Sequence, residues 1–78
     1  MRQDSKRGQG LRARVNGERR ELEAGTTVAR LVAELVRDAP PDGFAVAVNG
    51  EVVPRAEWQE RKVQDEDIVE VVRAVAGG

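Results

Sequence analysis

Ile68-Val69-Glu70-Val71-Val72-Arg73-Ala74-Val75-Ala76-Gly77-Gly78, residues 68–78, joins a strand-like apolar run to a tail of small residues ending in Gly-Gly. The β-branched run predicts a strand over Ile68–Arg73. With Glu70 facing water, a period of two puts Val69 and Val71 in the core and leaves Ile68 and Val72 outside beside Glu70. The tail, residues 74–78, spans about 15 Å at roughly 3.3–3.6 Å per residue, enough to enter the active site of another protein. Glycine accepts backbone angles closed to other residues, so a narrow channel can close around such a peptide. At average glycine usage, two terminal glycines arise by chance in roughly 0.5% of chains. The tail is therefore read as functional, with Gly78 as its chemically addressable end and Gly77, Ala76 and Val75 as the segment that delivers it.

A strand of this kind needs a sheet, and the rest of the chain supplies one. Leu11, Ala13 and Val15 alternate with Arg12 and Arg14, which predicts a half-buried strand. Asn16-Gly17 then suits a tight hairpin turn, and Glu18–Glu23 returns as an edge strand protected by its charges. Thr26 or Thr27 caps a helix whose apolar stripe is Val28, Leu31, Val32, Leu35 and Val36. Pro40-Pro41 ends it and Asp42-Gly43 turns the chain away. Phe44–Val48 reads as a strand with Val46 and Val48 inward, which puts Ala45 and Ala47 on the same outer side as Ile68 and Val72. Those four residues are the candidate partner-binding patch. Asn49-Gly50 is a second turn, Glu51–Val53 extends again, and Pro54 marks an edge or the end of pairing. Trp58 is expected to cover one end of the core with its indole N–H on a carbonyl. Val63 is expected to add a brief strand, and Gln64–Asp67 a solvated polar turn. Residues 1–10 are expected to be a flexible leader, with a basic contact arm of Arg2, Lys6 and Arg7 as the alternative.

Seventy-eight residues make one small domain, residues 11–78, in which every apolar face has to be used. A net charge of −1 implies no general attraction to nucleic acid or membrane. The chain has no cysteine, so there is neither a disulfide framework nor a thiolate site, which suits the cytoplasm. No run approaches membrane-spanning length. Histidine and tyrosine are also absent, which removes most of the usual general bases and nucleophiles and makes a self-contained enzyme improbable.

The order of hairpin, helix, strand, short irregular piece, last strand and Gly-Gly resembles the ubiquitin-like β-grasp fold, an α+β class with a mixed four- to five-stranded sheet wrapped around one helix. More narrowly, the chain resembles the ThiS family of sulfur carriers, within the ThiS/MoaD-like group. The resemblance is carried by Val15-Asn16-Gly17-Glu18, Gly25-Thr26-Thr27-Val28, Val46–Arg55 with Trp58 three residues on, and Val69–Val72 running to Gly77-Gly78. Asn49-Gly50-Glu51-Val52-Val53-Pro54-Arg55 followed by tryptophan is its most particular part.

The resemblance implies a sulfur carrier for thiamine thiazole biosynthesis. A carboxylate is a poor electrophile, and in this family a ThiF-type adenylyltransferase uses ATP and Mg²⁺ to convert the terminal carboxylate, here Gly78, into a mixed anhydride. Sulfur drawn from cysteine through a desulfurase displaces AMP, and the resulting thiocarboxylate serves the thiazole synthase ThiG, which builds the ring from a deoxyxylulose phosphate-derived imine. The carrier itself supplies no acid, base, bound cofactor or metal ligand. The same fold and tail also fit a MoaD-like carrier, a carrier for cysteine synthesis, a protein modifier linked through Gly78 to lysines, or a plain binding module. An enzyme built on Asp65 and Asp67 is the least favoured alternative.

Overall fold

A computed structural model of the chain describes residues 10–38 and 40–74. The elements are β1 (Gly10–Val15), β2 (Glu18–Glu23), α1 (Val28–Leu35), β3 (Phe44–Val48), β4 (Glu51–Val53) and β5 (Ile68–Arg73), with 3₁₀ turns at Pro41–Gly43 and Arg55–Glu57. They make one five-stranded mixed sheet in the order β2-β1-β5-β3-β4. β1 and β5 run parallel, whereas β1 with β2, β3 with β4, and β3 with β5 run antiparallel. The mixed sheet with one helix is as expected of a β-grasp chain, and the last strand, β5, lies at its centre.

Both hairpins are made by Asn-Gly. Asn16 and Gly17 have φ of 51° and 84°, and Asn49 and Gly50 have 53° and 86°. These are the positive angles a type I′ turn needs, and its twist matches that of the flanking strands. The charged β2 is indeed an edge strand, and β4, which stops before Pro54, is the other edge.

Helix α1 buries Val28, Leu31 and Val32 against the sheet, while Leu35 and Val36 are partly buried at its end. Thr27 is the cap, its hydroxyl accepting from the Arg30 N–H at 3.2 Å. Thr26 is buried and its hydroxyl donates to the Glu23 carbonyl at 2.7 Å. The first helical N–H groups have no partner within the helix. Here the carbonyls of Arg61 and Trp58 accept from Val28 and Ala29 at 2.9 and 3.0 Å.

That arrangement explains two differences from expectation. Val63 belongs to no strand: it is buried, and its N–H donates to Thr26, while a single bridge pairs Thr27 with Lys62. The turn after it is not wholly solvated, because Asp67 is buried. Its carboxylate accepts from the Gln64 N–H at 2.8 Å and from the Asn49 side chain at 2.9 Å, which satisfies a group that would otherwise be costly to bury. At the other end of the chain, β1 starts at Gly10, one residue inside the expected leader; residues 1–9 lie outside the described residues.

The core is formed by Ala13, Val15, Leu22, Val46, Val48, Val53, Val69 and Val71 from the sheet, the helix stripe, Val63 and Trp58. Trp58 is 4% exposed and its indole N–H donates to the Val53 carbonyl at 2.9 Å, as a lid at the β4 edge.

One detail fixes the course of β5. A parallel ladder continued past Val15 would use the backbone carbonyl of Asn16 to accept from Val71. The turn takes that backbone away, and the Asn16 side chain replaces it: Oδ1 accepts from the Val71 N–H at 2.8 Å, and Nδ2 donates to the Val71 carbonyl at 3.2 Å. Asn16→Gly keeps the positive φ and removes only this clasp. We expect it to lower stability by about 1–3 kcal/mol for two hydrogen bonds and to speed amide exchange at Val71. An unchanged urea midpoint together with unchanged Val71 exchange would show that the clasp contributes nothing.

Candidate functional site

The candidate site has two parts, the outer face of the sheet and the point from which the tail departs. On β5, Ile68 and Val72 are 51% and 56% exposed, with Glu70 between them, as the period of two requires. Ala45 lies opposite Val72, and Ala47 opposite Glu70, so the two half-buried alanines continue the same face onto β3. Methyl side chains there keep the surface shallow, and a partner can approach the backbone closely.

Val52 extends the patch and was not anticipated. It pairs with Ala47 across β3 and β4 and is 73% exposed, more than Ile68 or Val72. The signal was present in Glu51-Val52-Val53: once Val53 is inward, Val52 must be outward. On the other flank, Ile68 sits in register with Arg14 of β1. Apolar surface on β5, β3 and β4 therefore gives way to arginines on β1 and β2.

The departure point is held from both sides of β5. Asn16 clasps Val71, the Ala74 N–H donates to the Gly43 carbonyl at 2.8 Å, and the Arg73 guanidinium lies 5.1 Å from the centre of the Phe44 ring. The Arg73 contact is a cation–π geometry worth about 0.5–1 kcal/mol at an exposed site. Ala74 is thus tied to the sheet. Val75, Ala76, Gly77 and Gly78 lie outside the described residues.

Among the described residues, no group of three or more acidic, histidine or cysteine side chains is placed to hold a metal. Asp65 and Asp67, the two acids of the least favoured alternative, each accept from a backbone N–H. Asp65 accepts from the Arg12 N–H at 2.8 Å, and Asp67 from Gln64. No helix of the described residues is long and apolar enough to cross a membrane.

Comparison with known proteins bears on family and fold. The model of the ThiS family matches residues 13–78, a span that includes the Gly-Gly end. The chain is 36% identical over 63 residues to the sulfur carrier protein ThiS of Escherichia coli (strain K12), covering 81% of this chain and 92% of that protein. It is also 38% identical over 64 residues to a thiazole synthase of Paramagnetospirillum magneticum, covering 82% of this chain but 19% of that protein. Among solved structures, that of the thiamine biosynthesis protein (ThiS) from Geobacter metallireducens matches with a TM-score of 0.74 at 28% identity, over 87% of this chain and all of that one.

Proposed function

The chain belongs to the ThiS family of sulfur carriers, and from that premise we propose that it carries sulfur for thiamine biosynthesis on the carboxyl group of Gly78. The observation that carries the finer reading is the joint one at Ala74. The strand is fastened as far as Val71 on the β1 side and as far as Ala74 on the β3 side, and the family match runs four residues beyond Ala74, to Gly78. Those four residues span at most about 14 Å from a fixed origin. Delivery of the end into a partner is then a question of docking the sheet in one orientation.

Each step answers a chemical need. The Gly78 carboxylate spreads its charge over two oxygens, and neither leaves readily. A ThiF-type adenylyltransferase, using ATP and Mg²⁺ as its own co-substrate and ion, joins one oxygen to AMP and expels pyrophosphate. A desulfurase converts cysteine to alanine and holds the sulfur as a persulfide, whose terminal sulfur attacks the carbonyl carbon. AMP leaves with the oxygen, a thiol reductant cleaves the resulting acyl disulfide, and Gly78 ends as a thiocarboxylate. Sulfur holds its charge at lower basicity than oxygen and attacks carbon more readily, so the loaded end is a donor that the bare carboxylate is not. The acceptor is a thiazole synthase of the ThiG type. The likeness between this chain and a segment of a protein named thiazole synthase supports that partner over the molybdopterin or cysteine alternatives. The carrier contributes the reactive end and the docking face, and the partners contribute the catalysis.

The test is the intact mass of the protein after incubation with ATP, Mg²⁺, a ThiF-type adenylyltransferase and a sulfur donor. A gain matching the replacement of one oxygen by sulfur is expected. An unshifted mass with a demonstrably active partner overturns the reading, and a ladder of lysine-linked products replaces it with a protein modifier.

Docking has its own check. Val72 is exposed on the outer face, so Val72→Asp leaves the core intact but places a charge in an apolar contact. Affinity for the adenylyltransferase is expected to fall at least about tenfold. Unaltered affinity would mean that the outer face is not the docking surface.

A further inference from the structure

The hairpin of β1 and β2 carries a feature that folding does not explain. Arg14 and Arg19 lie directly opposite each other on the outer face. Val15 and Glu18 close the two-residue turn as a hydrogen-bonded pair, so the next pair outward, Arg14 with Arg19, is of the non-hydrogen-bonded kind, in which side chains come closest. In agreement, the Arg14 N–H is given to the Asp67 carbonyl, away from β2. Like charges directly opposite on two strands are destabilising.

Among the described residues, no carboxylate forms an ion pair with them. The ion pairs among the described residues are those of Arg30 with Glu23 and with Glu34, and neither involves Arg12, Arg14 or Arg19. Arg12 stands one pleat along from Arg14 on the same face, opposite Glu21 but with no ion pair to it. The three arginines line an open cavity of about 280 Å³ whose wall is completed by Ala13, Glu66 and Ile68. General basicity is not the cause, since the chain as a whole has a net charge of −1.

We propose that the Arg14–Arg19 pair, with Arg12 beside it, receives carboxylate side chains from an acidic surface of the adenylating partner, and that this contact fixes the register in which the sheet docks. The inference rests on the docking role of the outer face set out above. Two features select a protein carboxylate over a free anion. The cavity is open to solvent, and it runs into exposed Ile68, so an occupant that covers both has to belong to a larger molecule. Guanidinium forks also match carboxylates bidentately, and one carboxylate set between two of them turns repulsion into a bridge. Such contacts govern encounter rate and register more than gross affinity, and they weaken with salt.

The experiment measures binding of the full-length protein to a ThiF-type adenylyltransferase at low and high salt, alongside urea denaturation of each variant. Arg19→Glu removes the like-charge pair and sets an acid opposite Arg14. It is expected to raise the urea midpoint and yet weaken binding about tenfold, with the salt dependence reduced. Arg20→Glu changes the net charge equally, but Arg20 pairs with inward-facing Ala13 on the opposite side of the sheet, and binding should change little. Equal weakening by Arg19→Glu and Arg20→Glu would reduce the effect to overall charge and overturn the proposal. So would a lowered midpoint for Arg19→Glu, which would make the pair structural, or binding of inorganic phosphate that Arg19→Glu abolishes while affinity for the adenylyltransferase is unchanged, which would make the site one for a free anion. If Val72→Asp weakens binding and Arg19→Glu does not, the arginine site fails while the docking face stands. If neither does, both fail together.

Discussion

Removal of Gly78 is expected to abolish sulfur loading while leaving the domain folded. The described core ends at Val71, and the last backbone bond among the described residues is that of Ala74 to Gly43, so every contact named above is made without Gly78. The truncated chain still ends in a carboxylate, on Gly77, but the reach from Ala74 is shorter by about 3.5 Å. Displacement of a reacting atom by as little as about 1 Å can cost on the order of a hundredfold in rate. The intact-mass assay should show no exchange of oxygen for sulfur, and thermal unfolding should match that of the full chain. A bulky residue at position 77 should have the same result for a different reason, since a channel shaped for glycine has no room for a side chain. Loading at the normal rate in either variant would remove the carboxyl end from the mechanism.

The second large effect falls on the fold. Trp58→Ala is expected to cost about 3–5 kcal/mol, the range for deleting a buried aromatic side chain. A chain of 78 residues has a stability of about 4–12 kcal/mol at about 0.05–0.15 kcal/mol per residue. The variant should therefore lose at least about a quarter of that stability and unfold at a markedly lower temperature than the parent. Loss of area is only part of the cost. The indole also covers the Val53 carbonyl, and the Trp58 backbone holds the Ala29 N–H at the start of α1, so the β4 edge and the helix loosen together. Trp58→Phe separates the terms: it keeps much of the area and removes the indole bond to the Val53 carbonyl, which still pairs with Val46 in the ladder, at about 0.5–1.5 kcal/mol. Because the chain has a single tryptophan, unfolding must be followed by far-UV circular dichroism rather than fluorescence. A Trp58→Ala protein as stable as the parent would mean that the lid is dispensable.

What could be read in advance follows how local each determinant is. Asn16-Gly17 and Asn49-Gly50 announced their turns because few other dipeptides accept two consecutive positive φ angles. The helix stripe and the outward facing of Ile68 and Val72 follow from periodicity alone. Strand adjacency does not: nothing local in β1 or β5 says that they pair in parallel. Val63 was misplaced because its partner is the start of the helix, which a pattern of apolar residues cannot reveal. Asp67 looked like one of three equivalent acids, and only the approach of Asn49, 18 residues away, singles it out for burial. The Arg14–Arg19 opposition was there to be counted outward from the turn, but the charges of β2 invited explanation as edge protection and no more.

Synthesis runs from β1 towards β5, and β5 lies between the two hairpins. While the chain emerges, the hairpin of β1 and β2 and that of β3 and β4 have no strand in common. Each can form from close neighbours, but joining them relies on contacts such as Asn16 to Val71, 55 residues apart, and separations of that size close slowly. Until β5 is seated, the core is open and Ala74 has no fixed place. A half-made carrier therefore has no defined end to present to an activating enzyme. On the proposed function, completion of the fold and readiness for chemistry would be a single event, and an activating enzyme would spend ATP only on finished molecules.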